Sequence, residues 1–156
     1  MASTQTAVLV KPDGLQRGLI GEIISRFERK GLKLVGIKMV EMSEQMLNKW
    51  YAEHQDKGFF DDLVSFMGSR PVVAMVWEGI EAVPVVRKLV GTTLGREAEA
   101  GSIRGDFGMS QAFNLIHASS SNEAAEREIN IVFDDDELFE YSSALECVIY
   151  AEEERG

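Results

Sequence analysis

The chain has few of the residues that build disulfides, metal clusters and membrane spans. It contains one cysteine and two histidines, which excludes an internal disulfide and a zinc site built from cysteine and histidine. No run of 18 apolar residues occurs, and the first residues lack a basic segment followed by a hydrophobic one, so we expect neither a membrane span nor a signal peptide. We therefore expect a cytoplasmic protein without membrane contacts, with the lone Cys147 in the core.

Basic residues are scarce in the second half of the chain. Residues 1–78 hold ten Lys and Arg against ten Asp and Glu, whereas residues 79–156 hold six against sixteen, so the net charge of -10 belongs to the second half. Non-specific binding to nucleic acid needs a basic face that displaces counterions, and this distribution disfavours it. The acidic runs at 134–137 and 152–154 are interpreted as solvated segments rather than metal sites.

Length and apolar content indicate one globular domain. With 45% hydrophobic residues, a chain of 156 residues is long enough to build a sizeable core; such a chain buries on the order of 70% of its unfolded surface. No internal repeat or linker interrupts it. We predict a single domain over residues 1–156, with an acidic C-terminal tail over about 138–156.

Apolar patterns alternate between those of strands and those of helices. Short apolar runs bounded by turn residues predict strands over 6–10, 34–42, 72–77 and a last one that ends at His117. Apolar residues at helical spacing predict helices over 21–30, 43–54, 59–67, 84–90 and 120–133. Residues 11–14 are predicted to form a turn, and residues 92–101 an exposed loop.

The series predicts an α+β fold. It is a ferredoxin-like βαββαβ four-stranded antiparallel sheet covered by helices, which are expected on one face, with an added helical hairpin and a long loop before the last strand. The strand at 34–42 is expected to be covered on most of both faces, and Ser120 is expected to cap the last helix in a box with Glu123. Many unrelated functions share this architecture, so the function must be argued from a site.

His117 is the first candidate for chemistry. At the end of a short apolar run it could be fixed in one orientation and still point a ring nitrogen into a cleft, as a nucleophile requires. A histidine in such a place is at least as often a satisfied core or boundary residue. Arg104 upstream could hold an anion. Lys11 follows the first strand, a usual position for binding groups, although a solvent-facing lysine is the commoner explanation.

Other patterns leave the ligand open. The glycines at 14, 18 and 21 do not fit the phosphate-binding loop that ends in Gly-Lys-Ser or Gly-Lys-Thr. Either Phe59 or Phe60 could be left partly exposed as a stacking surface for a ring, and core packing of both is the alternative. Arg87 is explained as part of a solvated helix face.

Four separated blocks carry a resemblance to a known family. They are KPDGLQRGL at 11–19, PVVAMVWEG at 71–79, IRGDF at 103–107 and NLIHAS at 114–119. Together they resemble the nucleoside diphosphate kinases, collinearly from about residue 6 to 133, and four blocks in order are far more specific than any one of them. The resemblance implies a ping-pong phosphotransferase that moves the γ-phosphoryl group of a nucleoside triphosphate to a nucleoside diphosphate through a phosphohistidine at His117.

The resemblance also implies roles for further residues. Glu128 and Ser119 would orient the ring of His117, while Phe59 and Leu63 would contact the base. The residues that match the family's phosphate and ribose contacts are Lys11, Tyr51, Arg87, Thr93, Arg104 and Asn114. Magnesium would bridge the nucleotide phosphates without a protein ligand. Lysine and arginine suit this task because charge spreads over the phosphoryl oxygens in the transition state.

The sequence departs from the family pattern at three places. Residues 111–113, Gln-Ala-Phe, stand where Val-Gly-Arg is common, Ala118 stands where glycine usually follows the histidine, and the loop at 94–100 lacks the usual prolines. We expect a homo-oligomer, with a hexamer built of dimers ahead of a tetramer or a dimer.

Two other classes of function compete with the enzyme. One is a nucleotide-sensing or scaffolding member of the same family that binds without turnover, and the other is an unrelated ferredoxin-like regulatory module. A binding protein needs no oriented nucleophile, so the complete set of cationic residues, histidine and carboxylate argues against both.

Overall fold

Four antiparallel strands form one sheet in the order β2-β3-β1-β4 in the computed structural model, which describes residues 2–155. The strands are β1 (Ser3–Val10), β2 (Lys33–Val40), β3 (Val72–Ile80) and β4 (Ile116–Ala118). β1 pairs with β3 over its whole length, and β4 pairs with the end of β1, where Leu9 lies opposite His117. The predicted four-stranded antiparallel sheet is confirmed.

Eight helices connect and follow these strands within residues 2–155. They are α1 (Pro12–Gln16), α2 (Ile20–Lys30), α3 (Glu44–Trp50), α4 (Phe60–Met67), α5 (Ala82–Val90), α6 (Ile103–Phe107), α7 (Asn122–Val132) and α8 (Glu146–Ile149). Short 3-10 turns lie at Ala52–His54, Gly95–Glu97 and Asp135–Glu137. None of the helices of this part of the chain has the length and hydropathy that a membrane span needs.

Helices cover both faces of the sheet, so the expectation of helices on one face is wrong. Successive residues of β1 enter two separate cores: Val8 and Val10 pack with residues of α2 and α5, while Ala7 and Leu9 pack with residues of α3, α4 and α7. The reason lies in the central strands, which are apolar at successive positions and therefore bury both of their faces.

The edge strand β2 is less covered than the sequence predicts. Ile37 is 46% exposed and Met39 is 61% exposed, although both were expected to be buried. β2 lies at the edge of the sheet beside β3, and a register shift between Leu34 and Gly36 interrupts the pairing of these two strands. The alternation of apolar side chains does not distinguish an edge strand from a central one.

Short helices were missed because five residues do not establish a helical period. α1 occupies the segment predicted as a turn, with Pro12 at its first position, and α6 follows the loop predicted over 92–101, in a stretch for which no helix was predicted. The cap of α7 is Ser121, whose hydroxyl accepts from the amide of Ala124, and not Ser120. Ser43 caps α3 as predicted, by accepting from the amide of Met46.

The C-terminal segment runs along the edge of the sheet. The Phe139 amide donates to the Val35 carbonyl at 2.8 Å, and the Tyr141 hydroxyl donates to the Leu34 carbonyl at 2.7 Å. At the far end, the Tyr150 hydroxyl accepts from the Ile80 amide at 3.2 Å. Cys147 lies on α8 and is exposed, so its predicted place in the core is wrong; a helix of a single turn on the surface leaves it in solvent.

Candidate active site

A cleft of about 780 Å³ opens where β4 and the segment after β1 end. Its volume lies within the range of small-molecule sites. The sequence-predicted residues that line it are Lys11, Tyr51, Phe59, Leu63, Arg87, Thr93, Arg104, Asn114, His117 and Glu128. They come from five separate parts of the chain, and the fold brings them around one space.

His117 lies in β4 between two residues whose side chains enter the core on the other face of the sheet. Ile116 and Ala118 are buried in the cluster under α5, and because side chains alternate along a strand, His117 is left on the side of the cleft. Its side chain is 24% exposed, so solvent and ligands reach the ring. The indole of Trp50 packs edge-on against the imidazole, with 5.1 Å between ring centroids.

Glu128 holds one nitrogen of this ring. The Oε2 atom of Glu128 lies 2.6 Å from Nε2 of His117, and the residue is only 3% exposed. It belongs to the buried stripe of α7, one turn after Ala124, which is how the helical period places a carboxylate under the histidine. An ionised carboxylate only accepts hydrogen bonds, so Nε2 carries the hydrogen and Nδ1 keeps its lone pair.

Lys11 and Asn114 form the floor of the cleft. Lys11 is 8% exposed, and its Nζ donates to Oδ1 of Asn114 at 2.8 Å. The Asn114 amide group in turn donates to the Thr93 carbonyl at 2.9 Å. This chain of hydrogen bonds connects three predicted site residues from distant segments and fixes the ammonium group beside the histidine strand.

Arg104 is held by main-chain carbonyls as well as facing the cleft. Its guanidinium donates to the carbonyls of Gly91 at 3.0 Å, Asn114 at 3.2 Å and Ile116 at 2.5 Å. A guanidinium has five N–H donors, so two remain for an anion. The side chain therefore both ties α6 to β4 and contributes positive charge to the cleft.

The cations of the cleft destabilise one another. Burial, with the nearby charge of Arg104, lowers the pKa of Lys11 to about 8, and burial, with the charge of Arg87, lowers the pKa of Arg104 to about 10. The carboxylate of Asp13 opposes both shifts. Crowded cations with perturbed pKa values are a mark of a functional site, here one suited to an anion.

Tyr51 lies in the same wall and is 7% exposed. Burial, together with the negative charge of Glu128, raises the pKa of its hydroxyl above the ordinary value. The phenol therefore stays protonated at any pH at which the protein works, and it is available as a hydrogen-bond donor rather than as a base.

Ser119 does not take the place predicted for it. Its hydroxyl accepts from the Ala7 amide at 3.1 Å and donates to the Ala7 carbonyl at 3.2 Å, and within residues 2–155 its hydrogen bonds go to this main chain rather than to the ring of His117. The chain after β4 continues beside β1, which brings the hydroxyl to the Ala7 peptide. Ser119 thus supports the strand, and the hydrogen bond of Nε2 of His117 is made with Glu128.

Several residues that line the cleft were not predicted from the sequence. Phe113, which is 56% exposed, packs edge-on against Phe66 with 4.9 Å between centroids, so an aromatic residue stands where the family commonly has arginine. Arg127 reaches Glu53 at 3.4 Å near the mouth. Further lining residues not predicted are His54, Asp62, Gln111 and Ala124. Exposed polar positions on a helix have no periodic signal, and only the departure at 111–113 pointed to this wall.

Comparison with known proteins decides the family. A family model described as nucleoside diphosphate kinase matches residues 4–138. The chain belongs to the nucleoside diphosphate kinase family. The resemblance found in the four sequence blocks is confirmed, and so is the predicted enzyme class, because this family consists of phosphotransferases.

Nucleoside diphosphate kinases from distant organisms match nearly the whole chain. The protein of Archaeoglobus fulgidus is 53% identical over 148 residues, which are 95% of this chain and 98% of that protein. The solved halophilic nucleoside diphosphate kinase of Halobacterium salinarum, in complex with CDP, is 50% identical, covers 96% of this chain and 99% of its own, and has a TM-score of 0.93. A family protein from Babesia bovis is 48% identical with a TM-score of 0.92, over 94% of this chain and 99% of its own. These matches also confirm the ferredoxin-like α+β fold.

Proposed function

We propose that this nucleoside diphosphate kinase transfers the γ-phosphoryl group of a nucleoside triphosphate to a nucleoside diphosphate through His117. The contact that carries the proposal is the 2.6 Å pair between Nε2 of His117 and Glu128, because it leaves Nδ1 as the nucleophile on the side of a cationic cleft. Nδ1 attacks the γ-phosphorus, and the bond to the β–γ bridging oxygen breaks as the diphosphate leaves. In the second half-reaction a terminal oxygen of another diphosphate attacks, and the N–P bond breaks.

The cationic residues have a clear task in this reaction. Lys11, Arg87 and Arg104 line the cleft and would donate charge-assisted hydrogen bonds to the phosphate oxygens, where negative charge spreads in the transition state. Glu128 stabilises the positive charge that the ring acquires when it bonds to phosphorus. By analogy with deleted oxyanion donors, the loss of one cation would cost about 2 to 4 kcal/mol of transition-state stabilisation.

The remaining residues would hold the nucleoside. Phe59 is 51% exposed beside the cleft, so part of its ring is accessible to a base, and Leu63 lines the same wall. Stacking does not depend on the hydrogen-bonding groups of the base, which supports tolerance for different bases. Tyr51, Thr93 and Asn114 are proposed to contact the phosphates and the ribose. A relative's complex with CDP supports a diphosphate as ligand of this cleft.

Magnesium is proposed as the cofactor, carried by the nucleotide. Within residues 2–155, His, Cys, Asp and Glu side chains do not gather in groups of three that could hold a metal ion. The cleft instead presents cations, which fit the free oxygens of a metal-bound triphosphate. When bound, the ion neutralises part of the charge on the β- and γ-phosphates.

Assembly, domain organisation and location complete the proposal. We propose a single domain over residues 1–156 in the cytoplasm that forms a homo-oligomer. The exposed apolar side chains of Ile37 and Met39 on the edge strand support contact with another copy. The family resemblance favours a hexamer over a tetramer or a dimer, and the mass in solution would decide among them.

The proposal is tested by trapping the phosphoenzyme. Incubation with γ-labelled ATP and magnesium should give an acid-labile, alkali-stable phosphoprotein, and added GDP should discharge the label as GTP. His117→Ala should abolish labelling. His54→Ala removes the other histidine of the chain and should still be labelled. Label retained by His117→Ala, or a wild-type protein that binds nucleotide without label, would overturn the proposal.

A further inference from the structure

The turn that leads into β4 is held in a strained conformation. Leu115 has φ of 74°, a left-handed value, although its side chain is fully buried and not glycine. Such a conformation costs on the order of 1–3 kcal/mol and persists only where surrounding groups hold it. Because Leu115 lies between Asn114, which binds the Lys11 ammonium, and the strand of His117, this turn determines how two site residues are placed relative to each other.

The beginning of α1 holds both polar groups of Leu115. Oδ2 of Asp13 accepts from the Leu115 amide at 2.9 Å, and the Lys11 amide donates to the Leu115 carbonyl at 2.8 Å. Gly14 permits the close approach, since a Cβ atom there would lie 2.7 Å from the Leu115 carbonyl oxygen. The left-handed residue is therefore held by hydrogen bonds from positions 11 and 13 of one segment, and the glycine at position 14 leaves room for it.

Asp13 has a second oxygen that this clamp does not use. Oδ1 is buried and has no hydrogen-bond partner within residues 2–155. A buried carboxylate oxygen without a hydrogen bond is costly unless charge nearby offsets it. The Lys11 ammonium is affected by the charges of Arg104 and Asp13. The Arg104 guanidinium is affected by the charges of Arg87 and Asp13. Among these neighbouring groups Asp13 is the one carboxylate.

We infer that Asp13 is a positioning residue for the phosphoryl transfer, which holds the Leu115 turn through one carboxylate oxygen and favours the charged form of the Lys11 ammonium beside it through its own negative charge. The inference rests on the proposed function of the cleft, since it assigns a role to a residue beside the substrate rather than in contact with it. The hydrogen bond and the charge are separate contributions, and two substitutions distinguish them.

Asp13→Asn removes the charge and keeps an oxygen that can accept from the Leu115 amide. The measurement is the rate of phosphoenzyme formation in single turnover from pH 6 to 9.5, with ATP far below saturation so that the free enzyme is titrated. The wild-type rate should fall as pH rises through the Lys11 pKa of about 8, because the neutral amine no longer attracts phosphate. Removal of the Asp13 charge lowers this pKa, so the fall should move to lower pH.

The variant should then match the wild type at pH 6 and be several-fold slower at pH 8.5, because a smaller fraction of its Lys11 is protonated there. Coincident profiles would overturn the electrostatic role. Glu22→Gln is the matched control, because it removes a carboxylate of the exposed Arg26 pair outside the cleft, and its profile should follow the wild type.

Asp13→Ala removes the hydrogen bond as well. Its rate at pH 6 should be at least about tenfold below that of Asp13→Asn, because a displaced turn misaligns the reacting groups. Equal rates at pH 6 would overturn the role in holding the turn. If Asp13→Ala does not fold, the Asp13→Asn profile still decides the electrostatic role. A wild-type protein that never accepts label would instead refute the phosphohistidine proposal, so the two failures are distinguishable.

Discussion

At the scale of single residues, the reactive nitrogen is selected by what the other nitrogen binds. Glu128 occupies Nε2 of His117 at 2.6 Å, and the ring is packed edge-on by Trp50. These contacts limit rotation of the imidazole before any nucleotide arrives. The neighbouring Tyr51 hydroxyl stays protonated, since its pKa is raised by burial and by the charge of Glu128. The pair of histidine and glutamate is thus a nucleophile with a preset orientation.

Glu128→Gln tests this orientation. The amide keeps the size of the side chain but cannot stabilise a cationic ring, and its NH2 group can turn toward Nε2 and favour the other tautomer. Phosphoenzyme formation should slow by about 10²- to 10⁴-fold in single-turnover labelling. Glu126→Gln, on the exposed side of the same helix, should label at the wild-type rate. A Glu128→Gln variant as fast as the wild type would show that the carboxylate does not act on the ring.

At the scale of elements, the sequence predicted long periodic segments and missed short ones. α2 ends at Gly31, which has φ of 100°, and α5 ends at Gly91, both as the apolar period and the glycine signal indicate. α1 and α6, of five residues each, have too few apolar positions for a period, and their stability comes from contacts with distant residues. The edge position of β2 was likewise not predictable, because strand order is a tertiary property.

Three consecutive serines show how local signals become ambiguous by one residue. Ser119 bonds to Ala7, Ser120 is exposed at the cleft, and Ser121 caps α7. A pattern of serine followed three residues later by glutamate selects Ser120, whereas the amide that is capped, that of Ala124, lies three residues after Ser121. Which serine caps α7 depends on the residue at which the chain leaves β4 and turns into the helix.

Ser121→Ala and Ser120→Ala test the position of the cap. Loss of the Ser121 hydroxyl leaves an amide of the first turn unpaired and should lower the free energy of unfolding by about 1 kcal/mol. Ser120→Ala removes an exposed hydroxyl and should change it by less than about 0.5 kcal/mol. Urea denaturation of the three proteins measures both values. The reverse order of the two effects would place the cap at Ser120.

At the scale of the whole molecule, the cleft depends on contacts between residues far apart in sequence. Lys11 and Asn114 are 103 residues apart and hydrogen bond at 2.8 Å. No local pattern predicts such a meeting, and the resemblance of four blocks to a family supplied it. The resemblance implied no role for Phe113 or for the Asp13 carboxylate. Their place beside the cleft is seen in the three-dimensional arrangement. Ser119 marks the opposite error, a role transferred by resemblance that the contacts do not support.

The central claim is that the ring of His117 carries phosphate on the nitrogen that Glu128 leaves free. Phosphorus NMR of the wild-type phosphoenzyme, formed with ATP and kept at alkaline pH, distinguishes the two phosphohistidine isomers, and peptide mapping locates the modified residue. We predict a single signal from phosphate on Nδ1 of His117. Phosphate on Nε2, or on any residue other than His117, would contradict the account.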